Sequence, residues 1–134
     1  MATTLESQAR ELLDKPNFAH VATLRPDGTV HTVVVWVDTD GDRLEFNSAE
    51  GRTWPRNVER DPRVTVTVAD GENPYNYVEI RGRVVEQTTD GADEHIDALA
   101  KKYLGQDEYP FRQPGEQRVK IIVEPERVRT QIQG

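Results

Sequence analysis

Four arginines crowd the stretch NSAEGRTWPRNVERDPRV, residues 47–64, in a chain whose formal charge is −7. Arg52, Arg56, Arg60 and Arg63 surround Trp54, Pro55 and Asn57 there. Guanidinium groups match phosphate and carboxylate through paired N–H donors, so the chemistry this spacing offers is anion capture. Ser48, Thr53 and Asn57 add short polar side chains where a strand gives way to a helix. With Thr53 as N-cap, Trp54 and Pro55 fill the first turn, where proline's missing N–H does little harm. The helix start then presents unbonded amides and the positive end of its dipole, an assembly that suits a phosphate. Arg52 stands at the entry and Arg56 one turn further, on the same side. Arg60 is open to solvent or to pairing with Glu59 or Asp61, and Arg63 starts the next strand. An amphipathic helix whose arginines merely offset nearby acids fits the composition equally well. Trp54 fits either reading, as a flat cover for a ligand or as core.

Other chemistry finds little support. The absence of cysteine removes thiol nucleophiles, iron–sulfur ligation and thiolate zinc sites. The serines, Ser7 and Ser48, lie outside any nucleophile elbow, and no phosphate-binding glycine loop of Walker or Rossmann type occurs. If RPDG closes a tight hairpin, His20 and His31 lie diagonally on one sheet face, but no spacing supplies a third metal ligand. No metal is therefore expected. His95 falls in a helix beside acids and is expected to be solvated. No residue is assigned a catalytic role.

The elements that must position the arginine stretch are well signalled. Leu5, Ala9, Leu12 and Leu13 follow helical spacing behind a Thr3/Glu6 capping box, and Pro16 stops that helix. FAHVATL and TVHTVVVWVD are β-rich runs joined by RPDG, with proline at the second turn position. DTDGD leads into RLEFN, and RVTVTVA alternates with Val64, Val66 and Val68 on one face. DGENP turns into YNYVEIRGRVVEQT, where Gly82 marks a bulge or bend. A second well-marked helix spans about Asp90 to Leu104, with Ile96, Leu99, Ala100, Tyr103 and Leu104 as its buried stripe. Asp93, Glu94, Lys101 and Lys102 match its dipole, and Gly105 ends it. RVKIIVEP and a short strand near Arg127 to Ile132 close the chain. The expected fold is mainly β: six to seven antiparallel strands closing into a small barrel with peripheral helices, which hides the strand edges.

At 134 residues the chain is expected to form one domain, residues 1–134, able to bury roughly 65–70% of its unfolded surface without a staple. No apolar run of about 18 residues or leader-like segment is present, so the expected setting is cytoplasmic, with no membrane partner. The acidic balance argues against nucleic acid.

FAHVATLRPDGTVHTVVVWVD, LEFNSAEGRTWPRNVERDPRV, NPYNYVEIRGRVVE and HIDALAKKYLG followed by YPFRQPGEQRVKI carry a resemblance through their order and spacing. Together they resemble the flavin/deazaflavin oxidoreductases with the pyridoxamine-phosphate-oxidase-like split β-barrel, in particular the branch that uses coenzyme F420. The resemblance implies a homodimer with cofactors in grooves at the subunit interface. It implies that the strand carrying His31, Val33, Val35 and Trp36 runs beside the tricyclic ring. Asn47, Ser48, Ala49, Gly51, Arg52, Arg56 and Asn57 match the segment that holds the phosphate, with Trp54 and Pro55 inside it. Tyr77 would belong to the neighbouring wall. Many relatives carry lysine where Trp54 stands, which leaves Arg52 and Arg56 as the phosphate partners. Tyr75, Tyr77, Tyr109 and Phe111 are candidates for the substrate side, and water, a tyrosine or His31 for the proton source. The implied activity is hydride transfer from reduced F420 to an electron-poor conjugated small molecule of the quinone, enone or tetrapyrrole class. An FMN-binding relative and a non-catalytic F420 carrier are the alternatives.

Overall fold

The computed structural model describes residues 2–132. In chain order the elements are α1 (Ser7–Asp14), β1 (Ala19–Leu24), β2 (Val30–Val35), β3 (Asp38–Asp40), β4 (Arg43–Ala49), α2 (Thr53–Arg60), β5 (Arg63–Ala69), β6 (Tyr77–Thr88), α3 (Ala92–Leu104) and β7 (Arg118–Gln131). The strands form one antiparallel seven-stranded sheet in the order β2-β1-β5-β6-β7-β4-β3. Its two edge strands, β2 and β3, are chain neighbours. The steps from Val35 to Asp38 reach at most about 11 Å, whereas a flat sheet would separate its edges by about 29 Å. The sheet must therefore curl until its edges meet, and it does so without pairing them. The result is the split barrel that the resemblance implies, open along the β2–β3 seam where the strand pattern by itself pointed to closure.

The seam has a local cause. Val37 N–H donates to the Tyr103 hydroxyl at 3.1 Å, and Val37 O accepts from Lys102 Nζ at 2.8 Å. These side-chain bonds from α3 replace a strand ladder at Trp36 and Val37, so the run expected as one strand breaks there. Burial pushes the Tyr103 phenol up to about 12 and lowers the Lys102 ammonium, which keeps the phenol protonated and able to donate to Asn17 O.

Inside the curl lies the core, with Phe46, Leu13, Leu44, Ile80 and Ile121 fully enclosed. Val64, Val66 and Val68 point into it, as their alternation requires. Gly82 does sit at a bulge: an added Cβ would run into the Glu124 carbonyl, and the register shifts between Arg81 and Gly82. Pro125 lies opposite, where its missing N–H is tolerated. The two strands expected for the tail are thus one 14-residue strand, bent rather than interrupted.

Two further expectations change. Helix α1 begins at Ser7 without a side-chain cap, because Thr3 N–H is drawn away to Pro125 O at 2.9 Å. The hairpin after β1 is longer than a two-residue turn: Leu24 pairs Val30, Gly28 N–H bonds Arg25 O, and Gly28 adopts φ 85°. The added residue flips the parity of β2. His20 now lies across from Val34, and His31 across from Thr23, so the two histidines occupy opposite faces.

Candidate functional site

The open seam holds the site. On one side runs β2; on the other, β4 passes through a tight turn into α2. Gly51, at φ 90°, takes a left-handed conformation that side chains resist, and Arg52 N–H closes the turn on Ala49 O at 3.3 Å. Arg52, not Thr53, is the N-cap residue, and no side chain caps the helix. The first intrahelical bond is Arg56 N–H to Arg52 O, so the amides of Thr53 and Trp54 precede any helical acceptor.

Between these walls lies a groove of about 390 Å³ whose lining includes His31, Val33, Val35, Ser48, Gly51 and Arg52. Trp54 reaches it too, yet is only 3% exposed and packs edge-on against Phe46 at 5.8 Å. The indole is therefore a core anchor for α2 whose rim touches the groove. His31 Nδ1 lies 3.3 Å from Arg25 Nη2, so this nitrogen accepts and its partner nitrogen carries the proton.

A second cleft, of about 220 Å³, continues from the groove past Val34, Val35, Asn47 and Arg52. Its wall is an aromatic stack: Trp36 on Tyr103 at 5.2 Å and 11°, Tyr103 on Phe18 at 5.9 Å, and Tyr109 edge-on to Trp36 at 6.0 Å. The segment between α3 and β7 carries Tyr109 and Phe111 to the cleft. It is pinned to α3 where Tyr109 N–H donates to Asp97 at 2.9 Å and Arg112 grips Asp93 and Asp97.

Where groove and cleft join, Arg118 is buried at 3% exposure. Its Nε donates to Asn47 Oδ1 at 2.8 Å, its Nη1 to Glu116 at 3.0 Å, and its plane covers the Tyr109 ring at 5.1 Å. The other oxygen of Glu116 meets Arg52 Nη2 at 3.5 Å. One carboxylate thus bridges two guanidiniums. Arg118 is committed to the protein, while Arg52, about half exposed, is the cation free to turn to a ligand.

Behind this junction sits His95, buried rather than solvated as its helical neighbours suggested. Asn47 Nδ2 donates to Ala92 O at 2.8 Å and faces His95 Nδ1 at 3.2 Å. Because the amide oxygen is held by Arg118, Nδ1 must accept, and the ring proton resides on Nε2. That nitrogen points toward Glu45 at 3.8 Å without a hydrogen-bond partner. Ligand atoms of Asp38, Glu45 and His95 come within 4.8 Å of one another. A metal, however, needs the Nε2 lone pair that this tautomer fills with a proton, and Lys120 already sits 3.7 Å from Glu45. Burial, with Lys120 adding to it, pushes the imidazole down to about 4, while burial raises the Glu45 carboxyl.

The structure therefore brings together His31, Val33, Val35, Asn47, Ser48, Gly51, Arg52 and the rim of Trp54, with Trp36 in the adjoining cleft. It does not bring the remaining candidates to either lining. Ala49 and Pro55 are buried, and Arg56 is exposed outside both cavities. Asn57 is spent on Thr23 Oγ1 at 3.0 Å, and Arg60 donates to Leu24 O. Tyr77 opens β6 between Ala69 and Gln131, and Tyr75 is 73% exposed. Sequence reasoning missed Arg118, Glu116 and Phe18. Glu116 closes the 113–116 turn and Arg118 opens β7, where the only local sign was GEQR ahead of a strand.

The family model described as pyridoxamine 5'-phosphate oxidase matches residues 5–132. Among solved structures, a protein named F420 Reductase is 34% identical, with 90% of this chain and 94% of that chain covered and a TM-score of 0.79. The Mycobacterium tuberculosis protein Rv2991 is 19% identical over 97% of this chain and 86% of its own, TM-score 0.74. The general stress protein 26 of Bacillus anthracis is 16% identical over 92% and 91%, TM-score 0.67, and like Rv2991 it shares the fold. No curated protein matches the chain. No helix among the described residues is long and apolar enough to cross a membrane.

Proposed function

The chain belongs to the pyridoxamine 5'-phosphate oxidase family, and from that premise and the seam geometry we propose a deazaflavin-dependent oxidoreductase. Its cofactor is F420, and its reaction moves hydride to an electron-poor conjugated acceptor. The observation that carries this reading is the pairing of a half-exposed Arg52 with uncapped helix amides at the end of a groove walled on one side by Val33 and Val35. The 34% identity to a protein named F420 Reductase supports the choice of cofactor.

The groove fits such a group at both ends. Arg52, the Thr53 amide and the buried Ser48 offer donors to a phosphate, while Val33 and Val35 give a flat apolar wall to a ring. F420, when bound in reduced form, supplies hydride from C5 of its ring, and a proton completes the two-electron reduction of the acceptor. This chain's part is to bind, orient and exclude water. Arg52 would hold the phosphate in place of its 3.5 Å contact with Glu116, and Glu116 would keep its bond to Arg118. Trp36 and Tyr109, fixed by their stacking, hold an acceptor in the adjoining cleft.

A homodimer follows from the same reading. Val30 and Val34 on the β2 edge and Phe18 just ahead of β1 are 56%, 57% and 55% exposed, an apolar strip beside an open ladder that calls for cover. A solution mass of two chains checks it. The function itself is tested by titrating the purified protein with F420 and with FMN, then following oxidation of reduced F420 across a panel of conjugated acceptors. F420 retention with turnover supports the proposal. Tight FMN binding without F420 binding replaces it with the flavin reading, and F420 binding without turnover leaves a carrier.

A further inference from the structure

A second concentration of arginine lies on the outer face of β5, β6 and β7, away from the seam. Arg81 and Arg127 are directly opposite each other across β6 and β7, and Arg63 and Arg83 across β5 and β6. Like charges in directly opposed positions destabilise a sheet. The outer pair is partly relieved: Arg63 is held by Asp61 at 2.7 Å, while Glu124, across from Arg83 on β7, pairs with Arg43 at 3.8 Å. Beside them three arginines, Arg81, Arg127 and Arg129, face two carboxylates, Glu79 and Glu126. Glu79 reaches Arg81 at 4.0 Å and must also serve Arg129, its own cross-strand neighbour. A chain with net charge −7 thus holds a local cationic strip in repulsive register.

The strip is also concave. The bulge at Gly82, where β6 and β7 approach too closely for a Cβ, creases the sheet beside Arg81. Two hollows of about 630 and 390 Å³ meet there and share Arg81 and Arg127; Arg63 and Glu126 line one, Glu79 and Arg129 the other. The backbone positions of Arg81 and Arg127 lie about 5 Å apart across the strands, and those of Arg127 and Arg129 about 7 Å apart along β7, so their flexible side chains can converge on anionic groups at or beyond that spacing. The geometry points to an anion-binding crease for a small molecule bearing two or three phosphate or carboxylate groups at that spacing. Such a ligand offsets the Arg81–Arg127 repulsion that the bare sheet carries, and the forked donors of arginine suit either group.

The test titrates the full chain with sodium triphosphate and, separately, with citrate, against sodium chloride at equal ionic strength, reading heat of binding and Tm. Either polyanion should bind and raise Tm beyond the salt control, and which one does so identifies the anionic group. Arg127→Gln and Arg81→Gln should each weaken that binding at least tenfold. Arg127→Gln should also raise the Tm of the ligand-free protein by roughly 1–3 °C, since it removes one of two opposed charges. Lys101→Gln, which removes a distant exposed charge, should bind as the parent does. No response beyond the salt control, or equal affinity in the arginine variants, overturns the proposal. So does an Arg127→Gln protein that halves its solution mass without any anion response, which assigns the strip to a second copy of the chain.

Discussion

Replacing Arg118 with methionine tests whether the junction between groove and cleft is held by one buried cation. The substitution keeps length and apolar bulk but removes the bonds to Asn47 at 2.8 Å and Glu116 at 3.0 Å, and the stacking on Tyr109. Glu116, 10% exposed, is left with only the longer contact to Arg52. Breaking a buried pair from one side costs about 3–5 kcal/mol. The remaining Arg52 contact points to the lower half of that range, and the stranded Asn47 oxygen adds about 1 kcal/mol. A loss of about 4–5 kcal/mol in urea unfolding is therefore expected, with the slope unchanged. The double variant Glu116→Gln/Arg118→Met removes both buried charges, so its loss should fall short of the two single losses combined by about 2 kcal/mol. A single-variant loss under about 1 kcal/mol, or strict additivity, would refute the picture of a charge bridge at the junction.

His95 gives a pH signature. Its pKa falls from 6.5 to about 4 on folding, so between those values the unfolded chain binds the proton and the folded one does not. Stability should fall by about 3 kcal/mol as pH drops from about 6.5 to 4, and His95→Gln should flatten that slope in denaturant titrations. An unchanged slope would mean that the imidazole titrates elsewhere. Gly82→Ala should cost about 1–3 kcal/mol, because its Cβ meets the Glu124 carbonyl at the bulge; thermal unfolding that matches the parent would show the bulge to be adjustable.

Much of this fold could be read from periodicity. RVTVTVA alternates because one face is core, and Ile96, Leu99 and Ala100 mark the inner side of α3. Periodicity could not show where the barrel opens. That depends on Lys102 and Tyr103 reaching from α3 to Val37, some 65 residues away in the chain. Nor could it fix the parity of β2, which hangs on one left-handed glycine in a turn. The arginine stretch drew attention to the right turn but overstated its reach: Arg52 faces the groove, whereas Arg56 does not line it, and Asn57 and Trp54 serve the core. Arg118 was illegible for a different reason. Its place opposite Ala49 comes from pairing β4 with β7, a neighbourhood no local spacing encodes.

The most direct measurement is the dissociation constant for F420 of the parent and of Arg52→Ala, followed by fluorescence at fixed ionic strength. A charge-assisted bond to phosphate is worth about 1.5–3 kcal/mol, which corresponds to roughly 10–150-fold weaker binding in the variant. Equal affinity in a folded Arg52→Ala protein would remove the seam from the cofactor site. Failure of the parent to bind F420 at all would contradict the proposed cofactor itself.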